Sequence, residues 1–255
     1  VDMECTCVYT NQTFSGAMRG FGVPQMAFAH ESQMDLLAQK LDIDPIEIRI
    51  LNGFKKGSIN GTGQKLIDSI GFQECLARVK PYYNQASKDW VTKKISPFIK
   101  RGIGLGGMWY GIGNTGVRNP STARIEMDQD GRITLFTGCA DIGQGSTTVL
   151  TQIAGEVLGV LPESIHVKGG DTKFTTNAGA TSASRQTYIS GNAVKDATDK
   201  LASVLLTEGS NKLKVSKTLL EFGDHSLHVS GNRDRSVDFA WLATRINKNG
   251  GSLSW

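Results

Sequence analysis

Met26, Ala27, His30, Met34, Leu37, Ala38 and Leu41 recur at helical spacing, with Pro24 placed for the first turn. The tetrapeptide D-I-D-P at 42–45 closes this helix and opens a short second one. Upstream, Glu4 to Thr10 carries β-branched and small residues, which predicts a strand leading into the glycine-interrupted loop S-G-A-M-R-G-F-G-V-P at 15–24. Residues 53–71, rich in Gly, Ser, Asn and Lys, read as loop. A short helix through Phe72, Leu76, Val79 and Tyr83 then precedes a basic, Pro-containing connector from Asn84 to Arg101. That connector is the expected internal boundary, giving a first lobe of residues 1–90 and a second of 91–255.

Beyond it the period changes from helical to alternating. Ala123, Ile125 and Met127 alternate with polar residues, Asp130-Gly131 supplies a turn, and Ile133 with Leu135 resumes the alternation, which predicts a hairpin. The loop G-C-A-D-I-G-Q-G at 138–145 empties into a helix striped by Leu150, Ile153, Ala154, Val157 and Leu158, with Ser146 and Thr147 as its expected caps. A strand from Ile165 to Lys168 and a long Gly, Ser, Thr loop at 169–187 follow. A helix with Ile189, Ala193, Ala197, Leu201, Val204 and Leu205 on one face comes next. Leu227 to Val229 is a further strand, and Ser236 is the expected cap of a last helix through Val237, Ala240, Trp241 and Thr244. Strands and helices alternate irregularly, so the fold class is α+β rather than a regular parallel sheet.

Composition narrows the picture. A 39% hydrophobic content over 255 residues suffices for a buried core, and no apolar run reaches the ~20 residues a membrane-spanning helix needs. The opening V-D-M-E-C lacks the order of a signal peptide, which places the chain in the cytoplasm as a soluble protein. It also opens without an initiator Met and stops in mid-pattern at S-L-S-W, as expected for a piece of a longer protein. A net charge of +4 with 7% aromatics gives little support to nucleic-acid binding. Four cysteines are too few for a disulfide scaffold, and small buried hydrophobes are their expected role. The 30 glycines, well above the ~7% average, point to places where a backbone is approached closely.

Two loops share one architecture, in which small residues run into a helix N-terminus: Gly143-Gln144-Gly145 before Ser146, and A-T-S-A-S-R-Q-T at 180–187 before Tyr188. Unpaired amides and the positive end of the helix dipole make each a candidate anion site, against the plainer reading as turns and caps. Gly102 to Gly107 formally matches G-x-G-x-x-G, with Glu126 nineteen positions after it, but no buried strand precedes and no helix follows, so a dinucleotide site is rejected. Cys5-x-Cys7 lacks partners for zinc, since His30, His166, His225 and His228 show no matching spacing. No nucleophile elbow, P-loop or distinctive carboxylate pair is present. Chemistry, if any, comes from a cofactor.

S-G-A-M-R-G-F-G-V-P-Q at 15–25, K-R-G-I-G at 100–104, G-C-A-D-I-G-Q-G at 138–145 and S-A-S-R-Q-T-Y-I-S-G-N-A-V at 182–194 together resemble the molybdenum-binding subunit of the xanthine dehydrogenase and aldehyde oxidase family, most of all its bacterial hydroxylases of nitrogen heteroaromatics. The resemblance implies a molybdenum cofactor-binding domain of mixed sheets and packed helices, with molybdopterin as cofactor in its cytosine dinucleotide form. It implies that Ala17, Met18 and Arg19 lie nearest the metal without ligating it. It assigns the cofactor to Gly143, Gln144 and Gly145 and to Ala183, Ser184, Arg185 and Gln186. Phe21, Asn114 and Thr115 fall in the substrate pocket, with Asn114 standing where an aromatic is usual.

The implied reaction is oxidative hydroxylation of a purine-like or nicotinate-like ring, or of an aldehyde, with oxygen taken from water. The family's glutamate base lies in a G-x-G-E motif that does not occur before Trp255, so no catalytic residue is expected in this chain, which matches the middle of the catalytic unit. The implied partners are the remaining segments of the molybdenum subunit, an iron–sulfur subunit or domain, an FAD subunit or domain and a small-molecule substrate. The rival class is a noncatalytic assembly or packing domain that no longer binds cofactor.

Overall fold

A computed structural model describes residue 2 and residues 4–92, 96–114 and 116–255. The chain divides into two compact units, Val1–Tyr110 and Gly111–Trp255, a division C-terminal to the connector that the sequence offered.

The first unit is helical. Helix α1 (Val23–Leu41) carries Pro24 in its first turn, and Asp42 ends it in the left-handed conformation, its N–H returning to the carbonyls of Ala38 and Gln39. Asp44 caps α2 (Pro45–Asn52), its carboxylate accepting from the amides of Ile46 and Glu47 at 2.8 and 3.1 Å. The D-I-D-P reading therefore holds residue by residue. Helix α3 (Phe72–Thr92) runs well past Tyr83, through Pro81 and into the expected connector. Proline forfeits one backbone bond there, but the residues beyond it are adequate helix formers, and Gln85 donates to Asp89 one turn on at 2.7 Å.

Arg49 of α2 is the polar centre of this unit. Only 2% exposed, it donates from Nε to the Glu31 carboxylate at 2.6 Å and from a terminal nitrogen to Asp35 at 2.8 Å, with the Glu31, Pro45 and Leu105 carbonyls accepting its other bonds. Burial opposes the charge, but the bonds and attraction of the two carboxylates outweigh it and raise the Arg49 pKa above its ordinary value. Apolar burial is slight by comparison: among the described residues only Ala38, Ile46, Ile48, Leu66 and Leu76 are buried hydrophobics here. The α1 stripe departs from expectation, since Met26, Leu37 and Leu41 are exposed and Ala38 alone is buried. The strand expected over Glu4–Thr10 does not form either. No described strand pairs with it, and an unpaired strand has no ladder to satisfy its backbone.

The second unit holds both sheets. Strands β1 (Ala123–Met127) and β2 (Ile133–Thr137) form the expected hairpin, with Ile125 opposite Leu135. Its turn is tied by Asp128, whose carboxylate accepts from the amides of Asp130 and Arg132, both at 2.9 Å. Helix α4 (Ser146–Leu158) then carries the chain over to β3 (Ile165–Gly169), which pairs parallel to β2. On the other edge Ile125 exchanges backbone bonds with Trp255 at 2.9 and 3.0 Å, and Ser254 reaches the Glu126 carboxylate across 128 residues of chain.

A five-residue π-turn, Gln186–Ser190, leads into α5 (Gly191–Leu213). Strands β4 (Leu220–Gly223), β5 (Ser226–Val229) and β6 (Asn232–Asp238) make an antiparallel meander, and α6 (Phe239–Lys248) follows. Ser236 and Val237 lie in β6, so the expected Ser236 cap is replaced by Asp238, which accepts from the Trp241 amide at 2.6 Å. One core joins these elements: Ile125, Ile133 and Leu135 from the sheet, Leu150 and Leu158 from α4, Val194, Leu201 and Leu205 from α5, and Leu242 and Ile246 from α6. The arrangement is α+β, as the irregular alternation predicted.

Candidate functional site

The site in the second unit begins where β2 ends. Beyond Thr137 the chain turns through Gly138, where a Cβ would lie 2.4 Å from the Thr176 carbonyl oxygen, so only glycine lets the 138–145 and 176–186 loops cross this closely. Gln186 fastens the crossing. Its Oε1 accepts from the Cys139 thiol at 2.8 Å and the Ser190 hydroxyl at 2.6 Å, and its Nε2 donates to Thr181 at 2.7 Å. The Thr181 hydroxyl also accepts from the Ala140 amide at 3.0 Å. The two loops singled out in the sequence are thus neighbours at the starts of α4 and of the Gln186 turn.

Their helix starts differ. At α4 the expected Ser146 and Thr147 caps are overturned: Gly145 is the N-cap in the left-handed conformation, with no side-chain bond of its own. The capping group is Asp141, a residue the sequence reading missed. One of its oxygens accepts from the amides of Gly143 and Gly145 at 2.9 and 3.3 Å, and the other accepts from Thr147 at 3.0 Å. The Thr147 bond, then the Gly143 bond, hold the Asp141 pKa below its ordinary value. Gln144 also turns inward on its own loop. Its Oε1 accepts from the Ile142 amide at 2.6 Å, and its Nε2 donates to the Ala140 carbonyl at 2.9 Å and to Ser146 at 3.1 Å. The sequence cue was available: an Asp a few residues ahead of a Gly-x-Gly helix start is a capping candidate.

The Gln186 end carries no side-chain cap. Just before it Ala183 and Ser184 both sit at positive φ, 50° and 54°, and Ser184 is exposed. Asn114, also left-handed at φ 52°, lies beside them, because the Gly113 amide donates to the Ala183 carbonyl at 2.7 Å. Thr115 lies outside the described residues. Arg185 is buried and donates to Asn119 and to the carbonyls of Ala178, Ala180 and Pro120, so its side chain faces protein. The same holds for Gln186.

Ala17, Met18, Arg19 and Phe21 belong to the first unit. There Gly20, Phe21 and Gly22 are all at positive φ, the Phe21 amide donates to the Met18 carbonyl at 2.7 Å, and the Met18 and Phe21 side chains are exposed. The thiol expectation is corrected in part: Cys139 is buried, but Cys5 and Cys7, on the unpaired N-terminal segment, and Cys75 of α3 are exposed. Among the described residues no group of His, Cys, Asp and Glu could hold a metal ion, and no helix is long and apolar enough to cross a membrane.

Residues 76–254 match one molybdopterin cofactor-binding domain profile, and residues 1–53 match another. The chain belongs to the molybdopterin cofactor-binding domain family. It is 34% identical to an aldehyde oxidoreductase of Megalodesulfovibrio gigas, over 88% of this chain and 25% of the relative. It is 37% identical to a putative xanthine dehydrogenase molybdenum-binding subunit of Escherichia coli (strain K12), over 75% of this chain and 26% of that protein. The solved aldehyde oxidoreductase of Desulfovibrio desulfuricans ATCC 27774 is similar with a TM-score of 0.67 and 30% identity, covering 94% of this chain and 23% of that one. The chain spans about a quarter of the length of the curated relatives it matches.

The donor set suits a phosphate-bearing pterin. Such a ligand needs backbone amides, small side chains and a helix start not already neutralised. The Ala183–Gln186 end meets those needs, whereas at α4 the Asp141 carboxylate already holds the amides of Gly143, Gly145 and Thr147.

Proposed function

We propose that this chain is the molybdopterin-binding part of a molybdenum hydroxylase acting on a nitrogen heteroaromatic of purine or nicotinate type, or on an aldehyde, with water as oxygen source. The observation that carries the reading is the convergence of the 138–145 and 176–186 loops, one ending at a carboxylate-capped helix start and the other at a start without a side-chain cap. The names of the relatives, an aldehyde oxidoreductase and a xanthine dehydrogenase subunit, support both substrate classes.

In this reading the backbone of Ala183 and the exposed Ser184 hydroxyl bind and orient the polar edge and phosphate of the cofactor. The Gly143-Gln144-Gly145 loop forms a second contact through groups other than the Gly143 and Gly145 amides, which Asp141 holds. Arg185 and Gln186 act by fixing these loops, since their side chains are engaged within the protein. Ala17, Met18 and Arg19 border the metal, and Phe21, Asn114 and Thr115 contact the flat substrate. When bound, the cofactor supplies the two-electron redox chemistry that these side chains lack. The proton-accepting glutamate belongs to another part of the protein. The cytosine dinucleotide form, the iron–sulfur and FAD partners and a cytoplasmic location complete the proposal.

Metal and nucleotide analysis of the full-length native protein tests it. Molybdenum and cytosine nucleotide in proportion to protein are expected. A full-length protein with neither would favour a noncatalytic assembly domain.

A further inference from the structure

Arg185 presents an arrangement that ligand binding does not explain. Its guanidinium is 1% exposed, yet no carboxylate among the described residues pairs with it. Four bonds surround it instead: Nε donates to Asn119 Oδ1, one terminal nitrogen donates to the Ala178 and Ala180 carbonyls at 2.6 and 3.0 Å, and the other donates to Pro120 at 2.7 Å. Gly179 is wrapped against the same group, where a Cβ would lie 2.9 and 3.0 Å from the two terminal nitrogens. Burying a cation on neutral acceptors is costly, and an apolar side chain of similar volume would fill this space with less strain on solvation. What an apolar side chain cannot do is hold two separate segments, 119–120 and 178–180, at fixed distances through a planar fork of donors.

Those pieces lead to the two strained turns. Asn119 accepts from Arg185 and passes the connection on, its Nδ2 donating to the Gly113 carbonyl. The Gly113 amide in turn donates to the Ala183 carbonyl at 2.7 Å. The chain of bonds is closed by sequence, because Ala183 is two residues from Arg185. It encloses Asn114 on one side and Ala183 and Ser184 on the other, three non-glycine residues at positive φ. Such residues persist only where surrounding bonds over-determine them.

We propose that Arg185 and Asn119 are positioning residues, a buried clamp that sets the spacing between the Asn114 turn and the Ala183–Ser184 turn. The inference rests on the reading above, in which the first turn borders substrate and the second borders cofactor. Arg185 then acts on turnover by holding register between the two, without touching either ligand.

Asn119→Asp separates this from a merely structural role. The aspartate keeps the acceptor for Arg185, and even supplies the missing countercharge, but loses the donor to Gly113, so only the Asn114 turn is released. In the full-length protein, hydrogen exchange in peptides covering 111–118 should speed up at least tenfold while the melting temperature holds. KM should rise about tenfold, with kcat within twofold and molybdenum content unchanged. Arg185→Lys, which cannot span all four acceptors, should speed exchange in both 111–118 and 178–185 and lower molybdenum content. Unchanged exchange in Asn119→Asp, or loss of molybdenum with KM unaltered, overturns the clamp. A wild-type protein without molybdenum overturns the functional reading instead, and the exchange measurement still decides whether the clamp exists.

Discussion

The Asp141 carboxylate accepts from the backbone amide of Thr147 six residues further on, so the start of α4 is capped from the preceding loop and not by its own first residues. A negative charge held at the positive end of a helix dipole, with amides bonded to both oxygens, favours its ionised form. Together with its bonds from Gly143 and Gly145, this carboxylate helps hold the Gln144 loop.

Because folding lowers the Asp141 pKa, the stabilisation it provides is fully present above the ordinary carboxylate value of about 3.9 and is lost as pH falls through the lower folded value. Asp141→Asn should therefore melt below wild type at neutral pH, with the gap closing below about pH 4. Thermal melts across that range check it. A gap that stays constant down to pH 3 would show that the charge is immaterial.

The apolar core lies in the second unit, and the first has only five buried hydrophobics among its described residues. Residues 111–255 expressed alone should unfold cooperatively, and residues 1–110 alone should not. Within the second unit Leu201, fully buried between sheet and helices, should cost about 2–5 kcal/mol when cut to alanine. Urea titration followed by circular dichroism reads both outcomes.

Gln186→Leu removes one acceptor and one donor from a crowded interior, so Cys139 and Ser190 lose their acceptor and Thr181 keeps only its bond from Ala140. A loss of about 1–3 kcal/mol is expected, because buried groups lose bonds that water cannot restore and Ser190 keeps only its contact with Ser121. An unchanged denaturation midpoint would mean that the loops are held together by other contacts.

Phe21 stands 80% exposed at φ 48°, between two glycines of positive φ. In the full-length protein Phe21→Leu should leave the melting temperature within a degree of wild type. On the proposed function, turnover of a heteroaromatic substrate should fall a few-fold to about tenfold, the range that aromatic contact contributes. A lower melting temperature with an unaltered specificity constant would instead make Phe21 a packing residue.

What the sequence disclosed and what it hid follow from the range of the forces involved. The β1–β2 hairpin, the D-I-D-P junction and the stripes of α4 and α5 are written in neighbouring residues, where period and turn chemistry act directly. Strand β6, N-R-D-R-S-V-D, has no alternation to reveal it and exists because β5 offers a ladder. The opposite error occurred at Glu4–Thr10, where propensity is present but none of the described strands is a partner. The family resemblance placed Arg185 in the cofactor loop as one of Ala183 to Gln186, without saying where its side chain goes. Only acceptors as far away in sequence as Asn119 and Pro120 reveal what its donors meet.

The pairing of Trp255 with Ile125 bears on how the chain is made. A ribosome releases the β1–β2 hairpin long before Ser254 and Trp255 emerge, so for the synthesis of more than a hundred residues the outer edge of β1 lacks the partner it has in the folded chain. Such an edge is a template for foreign strands. Nascent chains arrested once residues 123–137 have left the exit tunnel should therefore recruit holding chaperones to the 123–127 segment, and chains long enough for Trp255 to have left it should release them.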